Sequence, residues 1–152
     1  MMTETKLSLK DLYIGQRFVS ESFTFTAEEI KSYAAQFDPQ PFHMDEEAAR
    51  HSPFGGLVAS GWHTASVSMR LIVNSIHLDC GLIGLGGTLN WLRPVHPGER
   101  IFVESEIISL SPSRSKPGQA VVEVHCQVEN NKGDTVIEFT TKLMVFGRAQ
   151  NA

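Results

Sequence analysis

The stretch Gly61-Trp62-His63-Thr64-Ala65-Ser66-Val67-Ser68-Met69-Arg70-Leu71-Ile72-Val73-Asn74-Ser75-Ile76-His77-Leu78 decides the fold. Trp62, Ala65, Met69, Ile72, Val73 and Ile76 recur near helical spacing, which predicts one long helix from Gly61 to about Leu78. Val67 and Leu71 lie off that stripe, so the helix is apolar nearly all round and is expected inside the molecule rather than on its surface. Its first turns hold small residues, Gly61, Thr64, Ala65, Ser66 and Ser68, which let a sheet or a ligand come close to the backbone.

Downstream of this helix the period changes from helical to alternating. Val122, Val124, Cys126 and Val128 alternate with Glu123, His125, Gln127 and Glu129, the pattern of a strand with one face buried. Strands are predicted at Thr88 to Leu92, Ile101 to Ser109, Ala120 to Val128 and Thr135 to Phe146, after a glycine-rich connection from Gly81 to Gly87. The links are Arg93-Pro94-Val95-His96-Pro97-Gly98, a Ser/Pro/Lys loop at Ser111 to Gly118, and the tight turn Asn130-Asn131-Lys132-Gly133. Such spacings suit an α+β arrangement, an antiparallel meander wrapped around one buried helix.

Upstream, Gly15 to Phe25 reads as a Phe-rich strand, and Trp62, Met69 and that strand's aromatic residues read as core. Thr26-Ala27-Glu28-Glu29 fits a capping box, and Ile30, Tyr33, Ala34 and Phe37 continue it as a helix that Pro39 stops. Asp38-Pro39-Gln40-Pro41-Phe42-His43 follows, read as a stiff irregular segment carrying two titratable side chains. Asp45 caps a short helix through Arg50, broken by Ser52-Pro53-Phe54-Gly55-Gly56.

At 152 residues, one domain with its core at about residues 10–147 is expected, able to bury about two-thirds of its unfolded surface. Thirteen basic against seventeen acidic residues leave a net charge of −4, with no field to hold a nucleic-acid backbone or an anionic membrane. No unbroken apolar run is long enough to span a bilayer and no apolar region follows the amino terminus, so a cytoplasmic protein is expected. Cys80 and Cys126 are isolated and read as reduced structural thiols. The histidines lack ligand spacing, so no metal is expected, and His63 reads as a core histidine.

Two groups of residues can carry chemistry. Asp38 and His43 can hold and deprotonate a water, because imidazole titrates near neutrality and a carboxylate fixes its tautomer or takes the water's other hydrogen. Equally, Asp38 can simply end a helix in an Asx-turn beside a surface His43. The start of the long helix, Val58-Ala59-Ser60-Gly61-Trp62-His63, offers free N–H groups and the positive end of a helix dipole to a developing oxyanion. Alternatively, Ser60 is only an N-cap and Gly61 a packing residue.

Asp38-x-Gln40-Pro41-x-His43, the break at Phe54-Gly55-Gly56, and Leu57-Val58-Ala59-Ser60-Gly61, whose glycine comes eighteen residues after His43, resemble the MaoC-like dehydratases, which include the (R)-specific enoyl-CoA hydratases. Arg93-Pro94-Val95-His96-Pro97-Gly98-Glu99 is similar to a second stretch of that family. The resemblance implies the hotdog fold, a homodimer with joined sheets, and an acyl-CoA thioester as substrate, with no cofactor beyond the CoA that the substrate carries. It implies that Asp38 and His43 activate water for attack on C3 of a trans-2-enoyl thioester while the Gly61 N–H polarises the carbonyl. Gln40, Ser60 and Trp62 then border the substrate; Gln40 stands where the family usually has Asn, Ser60 where it usually has His, and Trp62 where Met is common. Arg93, Arg100, Arg114, Lys116 and Arg148 are cations able to meet CoA phosphates, or simply a solvated rim. Two rivals remain: a hotdog thioesterase, which needs an acidic residue on or near the central helix, against which stands the lack of Asp or Glu on that helix between Gly61 and Asp79, and a non-catalytic acyl-binding subunit, which predicts Asp38 and His43 too far apart to share a water.

Overall fold

The computed structural model describes residues 5–147; residues 1–4 and 148–152, Arg148 among them, lie outside the described part. After a single 3-10 turn at Leu9–Asp11, the chain forms β1 (Arg17–Val19), β2 (Phe23–Thr24), α1 (Ala27–Phe37), α2 (Pro41–Met44), α3 (Glu46–Arg50), α4 (Gly61–Ser75), β3 (Ile83–Trp91), β4 (Arg100–Pro112), β5 (Gln119–Asn130) and β6 (Thr135–Phe146). One antiparallel sheet runs β1-β4-β5-β6-β3, with β2 beside β1 on the same edge of β4. The long strands β4, β5 and β6 are consecutive hairpins. At the tight turn between the last two, the Asn130 side chain accepts from the N–H groups of Lys132 and Asp134 and Gly133 takes a positive φ of 83°.

The alternation in β5 resolves as expected: Val122, Val124, Cys126 and Val128 are buried, and they join Val103 and Ile107 of β4 and Phe139 and Leu143 of β6 in one core. Val67, Leu71 and Ile72 of α4 complete that core from the helix side. A long helix packed on an antiparallel sheet is the hotdog fold.

Several expectations are corrected. Helix α4 ends at Ser75, short of Leu78, and it is not buried all round. Its inward face is His63, Thr64, Val67, Ser68, Leu71 and Ile72, while Trp62 (60% exposed), Met69 and Val73 (43% each) stand outside the core. Buried hydroxyls are tolerated because Ser68 Oγ donates to the Thr64 carbonyl at 2.7 Å and Thr64 Oγ1 to the Ser60 carbonyl at 3.4 Å, so neither needs water. The single strand read at Gly15 to Phe25 is two short edge pieces interrupted at residues 20–22, where Ser20 Oγ instead accepts from Val103 N–H at 2.8 Å. Of its aromatic residues only Phe25 is fully buried.

The glycine-rich stretch before Thr88 is strand, not connection. β3 starts at Ile83 and pairs with β6 through an irregularity between Gly84 and Gly86. Gly87 has φ 157°, and a Cβ there would sit 2.1 Å from the Thr140 carbonyl oxygen, so only glycine lets the two strands approach this closely. Segment 38–43 is likewise more regular than expected. Pro41 takes the N1 position of the one-turn helix α2, where a missing N–H costs nothing. At the α1 N-terminus Thr26 accepts from Glu29 N–H, but the Glu29 carboxylate meets the Thr26 hydroxyl rather than its N–H.

Candidate active site

Two chain turns bring the titratable pair together. Asp38 is the C-cap of α1, its N–H donating to the Ala34 carbonyl, and His43 lies within α2, the one-turn helix that Pro41 starts. His43 is buried, and its Nδ1 lies 2.7 Å from the Val58 carbonyl oxygen. A carbonyl can only accept, so Nδ1 carries the proton and, in the neutral ring, Nε2 presents a lone pair. That Nε2 lies 3.4 Å from Asp38 Oδ2.

Asp38 is held on both oxygens. Ser60 Oγ donates to Oδ2 at 2.6 Å and Gln40 Nε2 donates to Oδ1 at 2.7 Å. The extra methylene of Gln40, relative to the family's Asn, therefore leaves it in reach of the carboxylate. The Ser60 hydrogen bond, joined by Gln40 and the nearby His43 and opposed by partial burial, holds the Asp38 carboxyl below the usual carboxylate range. Asp38 is thus an anion at neutral pH.

Ser60 is fully buried and its hydroxyl is used twice, donating to Asp38 and accepting from Trp62 N–H at 3.3 Å as the N-cap of α4. It is not among the residues that border the cleft described below; its hydroxyl meets the Asp38 carboxylate instead. Gly61 begins α4, and no acceptor among the described residues takes its N–H, which is one of the orphan donors at a helix start. Asp38, Gln40, His43, Gly61 and Trp62 all border one cleft of about 420 Å³. Phe42 and Phe54, whose rings lie 5.2 Å apart, add an aromatic side to it.

His63 points away from this pair, into the seam between α1 and α4. It stacks on Tyr33 at 4.6 Å, meets Phe25 edge-on at 4.9 Å, and its Nδ1 has no hydrogen-bond partner among the described residues. Burial pushes its pKa down against the opposing pull of Glu29, so the ring is favoured neutral. Among the described residues no three His, Cys, Asp or Glu side chains gather in a way that could hold a metal ion. Among the described residues no helix is long and apolar enough to cross a membrane.

Sequence reasoning did not find Trp91. Its indole borders the cleft, and its Nε1 donates to the Gly61 carbonyl at 2.8 Å across thirty residues of chain. No local pattern announces such a bond. The unexplained aromatic residue directly before Leu92-Arg93-Pro94 was the only available signal. Arg93 also borders the cleft.

The MaoC like domain family profile matches residues 11–137. The chain is 48% identical to a MaoC-like dehydratase from Rhodospirillum rubrum whose crystal structure superposes with a TM-score of 0.90, covering 93% of this chain and 98% of that one. A 3-hydroxyacyl-thioester dehydratase of Mycobacterium tuberculosis is 30% identical over 122 residues, 78% of this chain and 79% of the relative. The unliganded R-hydratase of Pseudomonas aeruginosa, 22% identical with a TM-score of 0.78 over 94% of this chain and 88% of that one, shares the fold. With a helix-on-sheet architecture, an Asp/His pair at the helix tip and a profile match over most of its length, the chain belongs to the MaoC-like dehydratase family.

Proposed function

We propose that the protein is a hydro-lyase that reversibly hydrates trans-2-enoyl-CoA to (R)-3-hydroxyacyl-CoA. The observation that carries this reading is the 3.4 Å approach of His43 Nε2 to Asp38 Oδ2 in the cleft that Gly61 also borders. A water there donates one hydrogen to the Nε2 lone pair and the other to the Asp38 carboxylate, which aims its own lone pair outward. As its oxygen bonds to C3 of the substrate, its proton passes to Nε2. The electrons of the C2–C3 double bond move onto the thioester oxygen, where the Gly61 N–H and the helix dipole receive the charge. Collapse of the enolate takes a proton at C2 from the Asp38/His43 pair, so atoms and charge balance. The reverse sequence removes water from the hydroxyacyl thioester.

No step calls for a metal or a resident cofactor, because the base, its orienting carboxylate and the oxyanion donor are all side-chain or backbone groups. The 3.4 Å separation speaks against a non-catalytic acyl-binding subunit, which predicts a wide gap. A thioesterase reading has no carboxylate on α4 to rest on. Crotonyl-CoA separates these outcomes. Loss of the enoyl absorbance without free thiol supports the hydratase; thiol release favours the thioesterase; neither signal overturns the hydratase reading for this acyl group.

A homodimer belongs to the same proposal. Strand β3 is a sheet edge with exposed Ile83, Leu85 and Trp91, and the exposed Trp62, Met69 and Val73 of α4 add further apolar area outside the core. A second copy joining at β3 would pair that free edge. The described acyl-thioester dehydratase relatives support a thioester as the partner molecule.

A further inference from the structure

We propose that Trp91 is a positioning and specificity-determining residue that restricts the cleft to short-chain 2-enoyl thioesters; the inference rests on the hydratase reading and names its substrate class. Three observations carry it. The indole Nε1 donates to the Gly61 carbonyl at 2.8 Å, so the last residue of β3 is fastened to the first residue of α4. The ring lies against the glycine itself: a Cβ on Gly61 would fall 2.6 Å from Nε1 and 2.8 Å from Cε2, leaving no gap between indole and helix tip. Trp62 meets Trp91 edge-on, ring centres 5.0 Å apart, and both border the cleft.

A thioester carbonyl accepted by the Gly61 N–H is therefore flanked by a wall of two indoles. A hydrogen bond to the peptide on the carbonyl side of Gly61 also fixes the orientation of the first turn, and with it the direction of the orphan N–H. A wall held by a backbone bond does not yield as a flexible Met would. Both indoles stand on the border of the cleft of about 420 Å³ that also holds Asp38 and His43. Bulk at the wall and rigidity at the amide are separate properties of one side chain, and two substitutions separate them.

Trp91→Leu removes the wall and the N–H, whereas Trp91→Phe keeps most of the bulk and removes only the N–H. The wild-type protein and both variants are assayed on crotonyl-, octenoyl- and dodecenoyl-CoA. Wild type should prefer the shorter chains. Trp91→Leu should raise the dodecenoyl-to-crotonyl ratio of kcat/KM by about tenfold or more, the scale on which pocket walls discriminate methylenes. Trp91→Phe should keep that ratio and lower kcat on crotonyl-CoA by about tenfold with KM little changed, the signature of a group that acts through the oxyanion donor. A wild-type preference for dodecenoyl-CoA, or a Trp91→Leu ratio within about twofold of wild type, overturns the wall. Wild-type kcat in Trp91→Phe overturns the positioning role. A wild-type protein inert toward all three thioesters overturns the hydratase reading and this inference with it. That result is distinct from the others, in all of which wild type turns over. The wild-type chain-length profile decides the specificity claim even if Trp91→Leu fails to fold.

Discussion

Asp38 and His43 differ in how much of the fold leans on them, and substitutions should reveal it. Asp38→Asn keeps the shape but donates where an acceptor is needed, and His43→Ala removes the proposed base; each should lower kcat on crotonyl-CoA by about 10²-fold or more. His43→Ala also leaves the buried Val58 carbonyl without its donor, so it should lose about 1–3 kcal/mol in urea unfolding, and Asp38→Asn, which can still accept with its amide oxygen, should lose less. Ser60 acts at one remove. Its hydrogen bond is the largest influence keeping the Asp38 carboxyl ionised, so Ser60→Ala should move the acid limb of the kcat/KM profile to higher pH. The native carboxyl is depressed below its ordinary 3.8, so it adds stability above that pH which fades as pH falls through the lower folded value; Ser60→Ala shrinks this contribution. His63 acts in the same direction but nearer neutral pH. Its folded pKa lies below the ordinary 6.5, so the unfolded chain takes up the proton first and stability falls as pH drops below about 6.5. Thermal unfolding of His63→Phe across pH 5 to 8 should show a flatter acid side than wild type; an unchanged slope there would falsify the assignment.

Among the elements, β5 and α1 were legible because one clear period meets one environment. Valines and Cys126 alternate with charged residues in β5, and Ile30 and Ala34 are the buried residues of α1. Helix α4 was legible as a helix but not in its rotation. Hydrophobicity pointed to Trp62, Met69 and Val73, whereas the sheet took the side bearing Thr64 and Ser68, whose hydroxyls bond back to their own helix and so enter the core without an unmet donor. Strand β3 was half hidden because glycine has low β-propensity; its partner β6, not its own composition, makes it a strand. Gly87→Ala should thus lower stability by about 1–3 kcal/mol in urea, although alanine is ordinarily the better-tolerated residue, because the added carbon meets the Thr140 carbonyl. A midpoint equal to wild type would show that the two strands can separate at no cost. The site divides in the same way. Asp38 and His43 lie five residues apart and their proximity follows from a proline-started turn, but the Ser60 hydroxyl, the Val58 carbonyl and the Trp91 indole reach them or Gly61 from distant parts of the chain.

On the scale of the whole molecule, the uncovered β3 edge and the outward residues of α4 set an expectation for solution behaviour. Sedimentation at micromolar concentration should give a species of about twice the 16.8 kDa chain, and Leu85→Lys, which adds a charge to the exposed edge, should shift it toward the single chain. A wild-type protein that sediments as one chain would remove the homodimer from the proposal. The indole of Trp91 gives this rim a further meaning. It ends the outermost strand and grips the backbone where the reactive cleft opens, so the two places share one mechanical linkage. Under the proposed dimer, whatever steadies or loosens that margin acts on the proposed chemistry, and dilution of the protein becomes a lever on the rate of each remaining copy.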